Sequence, residues 1–271
     1  MDAGDPEKIK QLLGGLFESY VDRLIRSFAP SSEVLVNSYL NPVVFDSEKK
    51  PEACDGLLLW PSMAVLLECK TNMLTSRQRY AMSLKETTKA IDDQLAKFTD
   101  PGEANSGRAR KGVGQLAYNL YRVLRGERVL HNGKPVDLLS VPKLYPAIVI
   151  YDEGMANHLV RLHLNTRMVE WFGKNGVDHA RVGHVLLFTT RDMEYFEMLA
   201  QRIGAEKVMR EYANYVEANP RDPRSMFTEY AWNKYPEIAG DEGGYTRETV
   251  QRVLGDLESE MRRRKAVLEG V

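Results

Sequence analysis

The sequence predicts a three-layer α/β domain: a mixed β-sheet with helices on both faces. Three observations carry that prediction. An amphipathic helical pattern opens the chain, short aliphatic runs bounded by turn residues recur after it, and helical patterns fall between those runs.

The first helix starts at Asp5-Pro6, with Asp5 as N-cap and Pro6 at the first helical position. Ile9, Leu12, Leu13, Leu16, Phe17, Tyr20, Val21, Leu24, Ile25 and Phe28 then keep helical spacing until Pro30 stops the run. Val34 to Tyr39 reads as a strand, and the polar loop Asp46 to Pro51 follows it. Asp55 to Lys70, DGLLLWPSMAVLLECK, holds two aliphatic runs on either side of Pro61-Ser62, which predicts an antiparallel hairpin turning at Trp60 to Met63. Helices are expected at about Ser76 to Phe98 and Val113 to Leu124, separated by the Gly- and Ser-containing loop PGEANSGRARKG. Pro146 to Tyr151 and His184 to Thr189 read as buried strands, and Arg191 to Ile203 as a helix. From Asn219 to Tyr245 the composition turns to Pro, Gly and charge, and Thr246 to Leu268 gives a last helical segment with Arg262-Arg-Arg-Lys265. The division expected is a core over residues 1–204 and a helical C-terminal extension over 205–271, suited to partner docking, dimerisation or substrate choice.

The hairpin sets charge at the edge of the most apolar part of the chain. A turn centred between Pro61 and Ser62 puts Asp55 opposite Glu68, with Lys70 two residues on and on the same face. Facing carboxylates at the rim of an apolar sheet destabilise it unless something compensates, and a divalent cation beside Lys70 would do so. A cross-strand salt-bridge cluster is the plainer alternative. Cys54 and Cys69 fall on the opposite face and read as small buried side chains.

Asp55 followed by Glu68-Cys69-Lys70 on the next strand resembles the PD-(D/E)XK nuclease superfamily, over roughly residues 7 to 150. The resemblance implies a restriction-endonuclease-like core and hydrolysis of phosphodiester bonds with Mg²⁺ or Mn²⁺. It assigns Asp55 and Glu68 as metal ligands with the backbone carbonyl of Cys69 as a third donor. Lys70 would orient water or stabilise developing charge. Glu18, in Gly14-Gly-Leu-Phe-Glu18, matches the glutamate many members carry on the preceding helix, which implies a metal-site residue that positions metal-bound water or a second ion, and its position beside Val21 and Ile25 predicts an inward-leaning acid. Gln115 corresponds to a glutamine some members carry on the following helix, with Gln94 as its rival. The residue before the first acid is Cys54, where the family motif has proline.

Between Arg108 and Lys134, Arg108, Arg110, Lys111, Arg122, Arg125, Arg128 and Lys134 stand against Glu127 alone. That excess suits a phosphate backbone, with Arg108, Arg110, Lys111 and Arg122 as the candidate contacts, or equally a solvated surface. The functional expectation is thus a nuclease acting on DNA. The alternatives are a non-catalytic DNA- or protein-binding module of the same fold and an RNA-directed nuclease. A homodimer or a larger defence or repair assembly is compatible with either.

Bulk numbers bound this reading. Over 271 residues, 43% are hydrophobic and 28% charged, which suits a globular protein with a substantial core. A net charge of −1 announces no global affinity for nucleic acid, so any such surface must be local. The apolar run Gly56 to Leu67 is broken by Pro61 and too short to cross a bilayer. MDAGDPEKIK lacks a secretory leader's basic and apolar regions, and with only two cysteines the chain reads as a reduced, cytoplasmic protein. The histidines, paired as His158/His163 and His179/His184 without cysteines, do not suggest a zinc site.

Overall fold

The structure is a computed structural model that describes residues 6–29, 35, 37–71, 84–101 and 110–239. Asp5, Val34, the start of the helix expected from Ser76, most of the PGEANSGRARKG loop and the segment Thr246 to Leu268 lie outside the described residues.

The opening pattern folds as helix α1 (Pro6–Phe28), which turns Phe17, Val21, Leu24 and Ile25 inward. Its apolar stripe lies against a five-stranded mixed sheet. The hairpin is the centre of that sheet. Strands β4 (Gly56–Leu59) and β5 (Met63–Lys70) pair in the expected register, Gly56 with Leu67 through Leu59 with Ala64. Trp60 and Met63 close the turn by exchanging backbone hydrogen bonds, and Ser62 Oγ donates to Glu206 at 2.7 Å. Strand β1 (Ser38–Leu40) adds antiparallel on β4, while β10 (Lys143–Ile150) and β11 (Leu186–Thr189) add parallel beyond β5.

Parallel neighbours require a crossover. Between β5 and β10 it contains α2 (Leu84–Leu95) and α3 (Val113–Leu124); between β10 and β11 it is α4 (His158–Lys174). One face of the sheet, including Leu57, Leu59, Ala64, Leu66 and Ile148, shares a single apolar cluster with Leu95, Leu116, Leu120, Leu164 and Phe172 of these helices. Burying each such side chain contributes about 1.5–3 kcal/mol relative to leaving it in water. On the sheet's other side, α1 packs on β5 and on α5 (Thr190–Ile203), and α5 packs on α6 (Ala205–Ala218).

Two things go beyond the sequence expectation. Helix α4 is one. The other is a four-stranded antiparallel sheet made by β3 (Glu52–Cys54), β2 (Val43–Phe45), β8 (Val129–His131) and β9 (Lys134–Val136). Strand β3 runs directly into Asp55, so this second sheet helps fix where the candidate site begins.

The first compact unit runs through Tyr230 and includes α6, because α6 buries Val208, Met209 and Tyr212, the last against the ring of Phe188. Residues Ala231–Val271 form a second unit. Among the described residues no helix is long and apolar enough to cross a membrane.

Candidate active site

The regular ladder of the hairpin ends at Gly56 and Leu67. One residue earlier the backbone N–H of Asp55 donates to the Leu67 carbonyl at 3.0 Å. Asp55 and Gly56 therefore both address Leu67, the two-against-one count of a β-bulge, a device that re-aims a side chain at the end of a strand. The simple register that set Asp55 squarely opposite Glu68 and Cys54 opposite Cys69 is corrected by this slip. Its result is that the Cys69 N–H donates to Asp55 Oδ2 at 2.6 Å, a carboxylate standing in for a backbone carbonyl. Gly56 is needed here. A Cβ on it would come within 2.6 Å of the Tyr39 ring.

Glu68 lies on β5 with 1% of its surface exposed. Lys70, two residues on and one-fifth exposed, donates from Nζ to Glu68 Oε1. Glu68 Oε2 is buried with no hydrogen-bond partner among the described residues. Burial pushes the Glu68 carboxyl up to about 8; Lys70 opposes the shift and Asp55 adds to it. Asp55 is also raised by burial, against the pull of the Cys69 N–H and of Lys70. Burial works against the Lys70 ammonium too, but Glu68 and Asp55 more than offset it and hold its pKa above the usual lysine value.

Two further carboxylates share this field. Glu18 on α1 is raised by burial and by Asp55, and Lys70 pulls it down. Glu18 as a whole is exposed and stands at the rim, while its carboxyl is partly desolvated and lies in the field of Asp55 and Lys70; Gly14 brings α1 close enough here that an added Cβ would lie 3.9 Å from Thr71 Oγ1. Glu52 on β3, which the sequence reading passed over, is pushed up to about 7 by burial, Asp55 and Glu18, with Lys70 opposing. Its one sequence signal is that it stands three residues before Asp55. Among the described residues, Glu18, Glu52, Asp55 and Glu68 thus share the ammonium of Lys70.

Gln115 is half-buried on α3, and no hydrogen bond joins it to these acids among the described residues. One turn later on the same face, Asn119 is buried and donates to the Ala53 carbonyl at 2.7 Å, so α3 does anchor the strand leading into Asp55. Gln94 lies near the C-terminal end of α2.

The basic candidates are divided. Arg108 lies outside the described residues. Arg110 is buried with its guanidinium 3.4 Å from the centre of the Tyr118 ring, and Arg122 lies 3.6 Å over Phe45 while pairing with Glu127 at 2.6 Å. Lys111 on strand β7 (Lys111–Gly112), which pairs antiparallel with β6 (Ala96–Lys97), is exposed. Cys54 and Cys69 are buried free thiols, and His163 pairs with Asp92 at 2.7 Å.

A divalent cation fits part of this set. Glu68 Oε2, buried and without a hydrogen-bond partner among the described residues, becomes a hard anionic donor next to a second carboxylate once the carboxyl ionises, and a divalent cation would favour that ionised form. The set is incomplete from side chains alone: among the described residues no group of three or more His, Cys, Asp or Glu is gathered to hold a metal ion. Further donors would have to come from backbone carbonyls, water or substrate, the pattern Mg²⁺ commonly accepts. Compared with known proteins, the chain matches no family model, no curated protein and no solved structure.

Proposed function

We propose that this chain is a metal-dependent nuclease that hydrolyses phosphodiester bonds, with DNA as its substrate. The observation that carries the proposal is the unsatisfied Oε2 of Glu68, buried beside Asp55 while Lys70 occupies the other oxygen. The chain order supports it: a helix, three antiparallel strands, helices and a parallel strand agree with the restriction-endonuclease-like core that the Asp55, Glu68-Cys69-Lys70 resemblance implies.

Asp55 and Glu68 would hold Mg²⁺ or Mn²⁺, with the Cys69 carbonyl as a further donor, and the ion would supply a charge against the negative charge growing on the phosphoryl oxygens and lower the pKa of water. The chain's own groups do the rest. Lys70 keeps its ammonium at neutral pH and reaches solvent at the rim, where it can hold a phosphate oxygen or orient the attacking water. Glu52, with a pKa near neutrality, is suited to take the proton that water gives up, and Glu18 to orient that water from α1.

A non-catalytic binding module of the same fold is the competing reading, favoured by the lack of a third ligating side chain among the described residues. Digestion of labelled single-stranded and duplex DNA and RNA with Mg²⁺ decides between them. The nuclease cuts DNA, and Lys70→Ala slows the cutting at least about 100-fold while sparing binding. A wild type that binds and never cuts leaves the module, and cutting confined to RNA overturns the choice of DNA.

A further inference from the structure

Helix α3 turns Leu116, Leu120 and Val123 into the apolar cluster, and Asn119 lies among them with 5% of its surface exposed. A buried amide in such a row is costly unless it is bonded. Its Nδ2 donates to the Ala53 carbonyl at 2.7 Å. Ala53 is where β3 loses its regularity. Val43 of β2 pairs with Cys54 and Val44 with Glu52, so three residues of β3 stand against two of β2, and Ala53 has no partner in the register. Ala53 and Cys54 both enter the same apolar cluster, whereas an alternating strand sends neighbours to opposite faces. Ala53 is therefore the extra residue of a β-bulge, and Asn119 donates to its carbonyl from a helix outside the sheet.

The bulge matters because of what stands on either side of it. Glu52 and Asp55 are three residues apart, and in an unbroken strand they would point to opposite faces. One extra residue between them reverses that parity and turns both to one side. The two do share a field, since the charge of Asp55 acts on Glu52. Asp55 is fastened on its C-terminal side, its N–H donating to the Leu67 carbonyl and its Oδ2 accepting from the Cys69 N–H. Asn119 fastens the chain on the N-terminal side. We infer that Asn119 is a positioning residue for this site: by holding the bulge at Ala53 it keeps Glu52 and Asp55 aimed together at the place where metal and water would gather. The inference rests on the nuclease reading and deepens it. Asn119 acts through the backbone of β3 rather than on the substrate.

The test uses the full chain as wild type, as Asn119→Leu, which keeps the volume and removes the amide, and as Asp192→Ala, a destabilising change outside the site. Mn²⁺ affinity is read without DNA, from the electron paramagnetic resonance signal of the free ion, on protein that melts cooperatively. Cleavage of labelled DNA supplies kcat and KM separately. Asn119→Leu should bind Mn²⁺ about 10- to 100-fold more weakly and lose kcat by a similar factor, the usual effect of removing a group that orients a ligand, with KM within about twofold. Asp192→Ala should match wild type in both. A merely structural amide would lower the melting temperature and leave the Mn²⁺ affinity of the folded protein alone. The inference is overturned if folded Asn119→Leu binds Mn²⁺ like wild type, if Asp192→Ala loses as much, or if KM rises while kcat holds. Asn119→Ala replaces a leucine variant that does not fold; if neither folds, the residue is architectural and the inference is overturned. Should wild type cut nothing while Asn119→Leu weakens Mn²⁺ binding as stated, hydrolysis fails and the positioning role stands. Should wild type cut DNA and Asn119→Leu keep both kcat and Mn²⁺ affinity, the positioning role alone fails. A wild type that neither cuts DNA nor binds Mn²⁺ overturns both.

Discussion

Asp192 at the start of α5 and Glu68 on β5 are both withdrawn from solvent, at 3% and 1% exposure, yet their surroundings differ in kind. Asp192 Oδ2 accepts from the Thr189 backbone N–H at 2.8 Å and its hydroxyl at 3.0 Å; Oδ1 accepts from the Thr228 N–H at 2.9 Å and its hydroxyl. Burial raises its pKa, and those four donors pull it back. Glu68 has Lys70 on one oxygen and nothing on the other among the described residues. The first carboxylate is complete as folded and fastens α5 to the segment at Thr228. The second keeps one buried oxygen without a donor among the described residues. A buried acid that is satisfied speaks for architecture; one with an open oxygen beside another acid speaks for a ligand.

The contrast breaks most visibly in activity. Lys70→Ala and Glu68→Gln should each cut DNA at least about 100- to 1,000-fold more slowly, the usual loss when one preorganised charge-stabilising group is removed. Glu68→Gln should still melt within about 1 kcal/mol of wild type, a shift within the range of an ordinary single substitution. Asp192→Ala should do the reverse: it strands buried donors, costs on the order of 3 kcal/mol in denaturant melts and leaves the specific activity of the folded fraction intact. If both acids behaved alike in both assays, the distinction drawn between them would collapse.

Added Mn²⁺ sharpens it further. At 100 times its dissociation constant a ligand that binds only the folded state contributes about 2.7 kcal/mol, so the wild type should gain about that much and Glu68→Gln nearly none. The gentlest probe is pH. Glu68 has a folded pKa of about 8 against an ordinary 4.5, so between those values the folded state holds a proton that the unfolded chain has lost. Metal-free stability should therefore fall as pH rises through that window, by at most about 1.4 kcal/mol per unit for one proton, and level off above it. Glu52, with a folded value of about 7, slopes the same way over the lower part of the window. Glu68→Gln should flatten the curve, and a profile that rises over this range would contradict the assignment.

Much of this was legible in the sequence, for identifiable reasons. Long aliphatic runs around Pro61-Ser62 gave the β4–β5 register correctly from Gly56 to Leu59. Helices α1 and α3 followed from clean apolar periodicity. Helix α4 did not, because its pattern is scrambled: Leu159 and Val169 face solvent at 63% and 40% while Arg161 is wholly buried, donating to the Pro220 carbonyl and to Ser225 Oγ. The second sheet escaped notice because its strands are three residues long, too short to show alternation. At the site, Asp55, Glu68 and Lys70 could be named from type and spacing. The bulge at Asp55 could not, since it depends on which amide reaches the Leu67 carbonyl. Glu52 was hidden for the same reason: its approach to Asp55 and Glu18 is a consequence of where β3 leaves the second sheet.

The central claim is that Glu68 Oε2 awaits a divalent cation shared with Asp55, and crystals soaked in Mn²⁺ test it most directly. The account predicts an anomalous peak within ligand distance of Glu68 Oε2 and the Asp55 carboxylate, absent in Glu68→Gln crystals. No peak at saturating Mn²⁺, or a peak that persists in Glu68→Gln, would contradict it.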